Sequence, residues 1–229
     1  MEYKIIGNSM QVLNVSLDEG ESILSDSGKL VSKTETIQMA PHLVGGLVGA
    51  IERKVTGATA MLTIFSAKGD KGMVSVSGVM PGKIRCITLA EGEQFVTEDH
   101  AFLACDSTVQ YKVEPVGIGA AFFGGAGLIL QRFVGPGNVY MHVVGDTIEY
   151  DLDGTAALEV DPGHIAGFDA NLQYRIRFVD NIRTAMFGGV GLFLAKFTGK
   201  GKVILHTVSR FKLTSEVYLE GRQENPPKK

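Results

Sequence analysis

One segment of this chain recurs, and it limits the folds open to it. The stretches Gly49–Gly57, Gly127–Gly135 and Gly191–Gly199 each run nine residues from glycine to glycine. Each has an apolar third residue (Ile51, Ile129, Phe193), a basic sixth (Lys54, Arg132, Lys196) and an apolar seventh (Val55, Phe133, Phe197). A glycine pair lies upstream of each: Gly45-Gly46, Gly124-Gly125 and Gly188-Gly189. A second landmark, Leu17-Asp18-Glu19-Gly20-Glu21, returns as Leu89-Ala90-Glu91-Gly92-Glu93 and more weakly as Val160-Asp161-Pro162-Gly163-His164. Apolar runs follow the nine-residue stretches at Ala60–Phe65, Val139–Val143 and Val203–Thr207. Spacing of about 70 residues is that of a repeated supersecondary unit that cannot bury its apolar face alone. The chain therefore reads as one domain over 1–220, with units at about 1–80, 81–147 and 148–220. The polar, proline-bearing tail 221–229 is expected to fray.

The units read as strands. Met73–Gly78 and Leu172–Phe178 alternate apolar and polar residues, the period of a sheet with one wet face. Turn signals stand between such runs at Lys68-Gly69-Asp70-Lys71-Gly72, Pro136-Gly137-Asn138 and Gly199-Lys200-Gly201. Glycine, with 29 residues against 7 prolines, suits a chain that turns often. The expected fold is all-β, with antiparallel sheets from three internal repeats packed in pseudo-threefold symmetry.

Charge and length exclude several functions. A net charge of -3 leaves no excess of cations to release counterions from a phosphate backbone, and no basic run exceeds Arg53-Lys54 or Lys228-Lys229, so nucleic acid is an unfavourable partner. The longest uncharged stretch, Val116–Gln131, is shorter than the roughly 20 residues a membrane helix requires. Cys86 and Cys105 lie in strand-like text without CxxC spacing and read as reduced and structural. Met1–Gly7 lacks a basic region followed by an apolar stretch, which predicts a cytoplasmic protein.

At Phe123–Leu128 and Phe187–Leu192, with the downstream steps Phe133-Val134-Gly135 and Phe197-Thr198-Gly199, the chain resembles prokaryotic proteins related to the mitochondrial-inheritance protein Aim-twenty-four. That family is grouped with folds like the tryptophan-RNA-binding attenuation protein (TRAP-like, of the double-stranded β-helix type). The resemblance covers nearly the whole chain. It implies packed antiparallel sheets with threefold pseudosymmetry, and it carries over no catalytic residue. Tryptophan and RNA binding do not come with it, because fold does not imply function.

Familiar chemistry fails on spacing. There is no His-x-His pair for a metal; His142 and His206 occupy matching places where the first unit has Ile64, as expected of a half-buried strand position. Asp151-Leu152-Asp153-Gly154 begins like a calcium loop, but Ala156 and Pro162 stand where glycine and glutamate are needed. Glu149, Asp151 and Asp153 are expected to line one face of an edge strand as an acidic stripe. No Gly-Lys-Ser/Thr follows the glycine-rich segments, and Ser22, Ser25 and Ser107 form no nucleophile pattern. No cofactor or metal is expected.

Chemistry rejected, the apolar glycine-rich segments remain. Phe122, Phe123, Gly124 and Gly125, with Phe187, Gly188 and Gly189, are the candidate interface. The alternative is that these residues cap the core. The expected function is a non-catalytic scaffold or interaction protein, self-associating or bound to a protein partner, with a membrane surface as another contact. A small-molecule module with a pocket between repeats is the alternative. An enzyme would need Asp146, Asp161, Asp169, His142 and His164 to gather at one cavity.

Overall fold

A computed structural model of the chain describes residues 1–42, 62–115, 128–178, 193–209 and 213. The first strands are β1 (Glu2–Ile6), β2 (Val12–Leu17), β3 (Ser22–Asp26), β4 (Leu30–Lys33), β5 (Ile37–His42), β6 (Leu62–Ala67) and β7 (Gly72–Ser77). Then come β8 (Gly82–Leu89), β9 (Gln94–Glu98), β10 (Phe102–Asp106), β11 (Gln110–Pro115), β12 (Ile129–Val134) and β13 (Gly137–Val144). The last are β14 (Thr147–Asp153), β15 (Leu158–Val160), β16 (Ile165–Asp169), β17 (Gln173–Phe178), β18 (Phe193–Thr198) and β19 (Lys200–His206). Short 3-10 turns at Asp99–Ala101 and Pro162–His164 interrupt them.

The strands form four antiparallel sheets in the orders β1-β2-β7-β4, β5-β6-β3-β10-β13-β8, β11-β12-β9-β16-β19-β14 and β15-β18-β17. The expected all-β, antiparallel class is what is observed. The boundary read near 80 lies in the connection from β7 to β8, whereas the one read at 147 falls on the first residue of β14. Both six-stranded sheets cross them, through the β3–β10 and β9–β16 pairings.

Side-chain pattern explains placement. In β2, Leu13, Val15 and Leu17 are fully buried while their neighbours are partly wet, the period-2 signature of a half-buried strand. β10 is buried at every position because it lies inside a sheet and is covered on both faces. Among the described residues three apolar clusters form the core, anchored by Phe102 and Phe133 (ring centroids 5.0 Å apart), by Phe168 and Phe197 (5.0 Å), and by Tyr140, against which Tyr3 of β1 stands edge-on at 5.1 Å. Such ring pairs add about 0.5–1.5 kcal/mol beyond burial.

The hairpin signals hold: Lys68–Lys71 joins β6 to β7, and Pro136 and Gly199 lie at the turns into β13 and β19. The wet face read on Leu172–Phe178 is present, with Gln173 and Arg175 exposed and Leu172 buried. On Met73–Gly78 it is not. Ser75 is buried there, bonded to Asn14 and Ser32, while Met73 is exposed.

Three alignments made from sequence shift. β12 and β18 lie inside Gly127–Gly135 and Gly191–Gly199, but the strand with the same pairing role in the first part of the chain is β6, beyond Gly49–Gly57, which itself lies outside the described residues. Adjacent hairpin strands are both short apolar runs, so the apolar pattern alone does not tell one from the next. Ile64 consequently sits in β6, not opposite the histidines. The residue of β7 that occupies their place is Ser77, paired with Val12 as His142 is with Ile84 and His206 with Thr147. Finally, Gly163 lies in a 3-10 turn and is no counterpart of Gly20 and Gly92. Those two turn the chain at φ +83° and +74° between β2 and β3 and between β8 and β9; Gly154, at φ +91° between β14 and β15, does the same work.

Candidate functional site

The candidate interface residues Phe122, Phe123, Gly124, Gly125, Phe187, Gly188 and Gly189 lie outside the described residues. Their place in the chain is nonetheless defined. Residues 116–127 join β11 to β12, whose ladder ends at Pro115 opposite Ile129. Residues 179–192 join β17 to β18, which ends at Phe178 opposite Phe193. Residues 43–61, with Gly45-Gly46, join β5 to β6, which ends at His42 opposite Leu62.

The residues weighed for chemistry are dispersed. Asp161 and His164 share a groove of about 340 Å³ with Ile148, Tyr150, Leu158 and His206. Asp146 lies instead beside Lys83, at 3.8 Å, and Asp169 accepts the Lys202 amide at 2.8 Å. His142 is buried against Gly78 and Gly82. Both matched histidines are fully buried, not half-buried as expected. Nδ1 of His206 accepts the Val144 amide at 2.9 Å, so its lone pair is engaged, and Nδ1 of His164 donates to the His206 carbonyl at 2.8 Å. Among the described residues no three His, Cys, Asp or Glu side chains gather as metal ligands.

The acidic stripe is an edge, as read. β14 borders its sheet, with Asp151 opposite Lys202 and Asp153 opposite Lys200. Glu149 takes Arg85 of β8 and Lys202 of β19 as partners beside a cleft of about 300 Å³ that Ile5, Ile84 and Ile204 also line. Burial acts to raise the Glu149 carboxyl, but the two cations outweigh it and hold it below the usual range.

Sequence reading missed a buried acidic cluster. Glu98 caps the turn at Asp99–Ala101, accepting the His100 amide at 2.9 Å and facing His100 Nδ1 at 2.8 Å. Asp99 is buried beside it and accepts a hydrogen bond from the Gln131 side-chain amide. Burial, reinforced by the Glu98 carboxylate, pushes Asp99 up to about 6. Burial also raises Asp26, whose carboxylate lies 3.5 Å from Lys29. The signal was present in Glu98-Asp99-His100, a polar triplet set inside an otherwise apolar stretch. The grooves beside β8, β14, β15 and β19 do not reach it. Cys86 and Cys105 are free thiols, and burial raises both.

The family profile described as "Mitochondrial biogenesis AIM24" matches residues 3–208, nearly every described strand. The chain belongs to the AIM24 family. It is 30% identical over 214 residues to the Streptococcus pyogenes serotype M6 protein M6_Spy0233, itself called uncharacterized, covering 89% of this chain and 85% of that one. Its fold is similar to the crystal structure of SPYM3_0169, also from Streptococcus pyogenes, with a TM-score of 0.79 at 24% identity over 96% of this chain and 99% of that one. AIM24 membership brings no assigned reaction from these relatives. Among the described residues no helix is long and apolar enough to cross a membrane.

Proposed function

We propose that this AIM24-family chain is a non-catalytic, cytoplasmic scaffold or interaction protein, in which three six-strand units form one domain over 1–220 about a pseudo-threefold axis, as in TRAP-like folds. The observation that carries this reading is recurrence of pairing. In β2–β7, β8–β13 and β14–β19 alike, the first and third strands pair with the sixth, and the second and fourth pair with the fifth. The glycine-rich apolar segments then share one connection, from fourth strand to fifth. An apolar segment kept at the same connection suits a contact surface for self-association, a protein partner or a membrane surface.

Light scattering on the purified chain, wild type against Phe123→Asp, tests it. An oligomer converted by the substitution to a folded monomer supports the reading. A monomer at high concentration that binds neither liposomes nor protein partners overturns it, and unfolding of the variant assigns Phe123 to the core. The second reading, a small-molecule module, draws on the cleft lined by Ile5 of β1, Arg85 of β8, Glu149 of β14 and Ile204 of β19.

A further inference from the structure

The six-strand blocks β2–β7, β8–β13 and β14–β19 meet within the chain at two formed junctions, where β3 pairs with β10 and β9 with β16. The ladders between first and sixth strands set residues of one junction against those of the other. Val12 faces Ser77, Ile84 faces His142 and Thr147 faces His206, so one residue further on Leu13 corresponds to Arg85, and two further on Cys86 corresponds to Glu149. On the sixth strands Tyr140 corresponds to Ile204 and Asn138 to Lys202.

The same place is built differently at the two junctions. At the first, Leu13 and Tyr140 are fully buried in one apolar cluster, with Cys86 packed against it and Tyr3 of β1 edge-on to the Tyr140 ring at 5.1 Å. Tyr3 is there because β1 lies outside β2 in the order β1-β2-β7-β4. At the second, the counterparts are Arg85, Glu149, Ile204 and Lys202, and β8, the counterpart of β2, borders its own sheet. Beside these four side chains opens the cleft of about 300 Å³, with Ile5, Ile84 and Ile87 completing its apolar walls. That volume is the share of about ten water molecules.

Two cations and one carboxylate line the cleft. Glu149, at 26% exposure, takes Nη2 of Arg85 and Nζ of Lys202. Asp151 stands 3.8 Å from Lys202 but is 82% exposed, so water screens most of its charge. Lys83 and Asp146, in the adjoining groove that shares Ile84 and Arg85, lie 3.8 Å apart and offset one another. The lining of the cleft therefore carries one positive charge in excess. Among the described residues Glu149 is the one hydrogen-bond partner of Arg85, which leaves donors of its five-donor fork for a second acceptor. Planar carboxylates suit such a fork.

We propose that this cleft binds a small organic carboxylate with an apolar tail, about ten non-hydrogen atoms in all, the carboxylate on Arg85 and Lys202 and the tail over Ile204 as Tyr3 lies over Tyr140. This rests on the small-molecule reading and deepens it by naming the class of ligand. A few charged groups set into an otherwise apolar cleft fix the orientation of such a molecule.

Titration calorimetry on the full-length chain with octanoate, octanol and octylammonium tests it. Octanoate should saturate one site and bind more tightly than the other two. Arg85→Leu, which copies Leu13 of the first junction, should weaken octanoate on the order of ten- to a hundredfold, the worth of a hydrogen bond to a charged group. Glu149→Gln releases both cations and should tighten octanoate several-fold, a gain that a merely structural role for Glu149 does not give. Melting curves report whether each variant is folded, and where Arg85→Leu is not, Lys202→Gln carries the same expectation of weaker binding. Octanoate that binds no more tightly than octanol overturns the proposal, as does an affinity indifferent to Arg85→Leu in a folded chain. If octylammonium binds best and Glu149→Gln abolishes it, the carboxylate class falls and the small-molecule reading stands. If none of the three probes binds, both fall.

Discussion

The Val144 amide donates to Nδ1 of His206 at 2.9 Å, so a buried imidazole on β19 satisfies the last backbone donor of β13. The bond ties together two strands from neighbouring six-strand blocks. It also explains why a histidine is tolerated at 3% exposure: the ring supplies an acceptor the ladder lacks. Replacing His206 by Phe keeps the volume and strands the amide. We expect a loss of about 1–3 kcal/mol in urea unfolding, the cost of an unpaired buried donor. An unchanged midpoint would mean that water or a backbone shift serves the amide instead.

The matched histidine, His142, is held by packing against glycine. A Cβ built at Gly78 would come within 2.2 Å of the His142 ring, and one at Gly82 within 2.8 Å of its Nε2. Gly78→Ala should therefore destabilise by about 1–3 kcal/mol through overpacking. Pairing it with His142→Ser, the residue type that Ser77 supplies at this place in β7, should recover part of that loss. A double-mutant cycle would read the coupling at about 0.5–3 kcal/mol. Strict additivity would show that the ring and the glycine do not act on one another.

Asp99 governs a pH dependence. Its folded carboxyl, raised to about 6 by burial and by Glu98, lies above the ordinary value of 3.8, so the folded chain holds a proton there that the unfolded chain has released. Between those values unfolding loses protons, and stability falls as pH rises. The contribution is full below the unfolded value and gone above the folded one. Asp99→Asn, which keeps an oxygen for the Gln131 amide, should remove this slope and stabilise the protein at pH 7 by on the order of 1–3 kcal/mol. Thermal melts of both proteins at pH 4 and pH 7 decide it: an equal difference at the two pH values counts against a titrating Asp99.

Some of this was legible in the residues. Alternation on β17, the hairpin at Lys68–Lys71 and the acidic edge of β14 all follow from periods and turn chemistry acting over a few residues. β6 and β7 are both short apolar runs, and composition alone does not say which of them matches β12 and β18 in its pairing. The Glu98–Asp99 cluster escaped for a related reason. A carboxylate in a polar triplet looks solvated until Gln131, 32 residues away, closes over it.

By itself the sequence determined an all-β chain of short antiparallel hairpins, because side-chain period and glycine turns are local and need no partner. Tertiary structure decided which distant strands meet. β3 finds β10 and β9 finds β16, while β4 and β15 are left as edges within the chain. Backbone ladders accept almost any strand, so that choice is made by the side chains packed behind them. Leu103, Tyr140, Ala166 and Ile204 are buried at the formed junctions, whereas Val31 lies bare on β4.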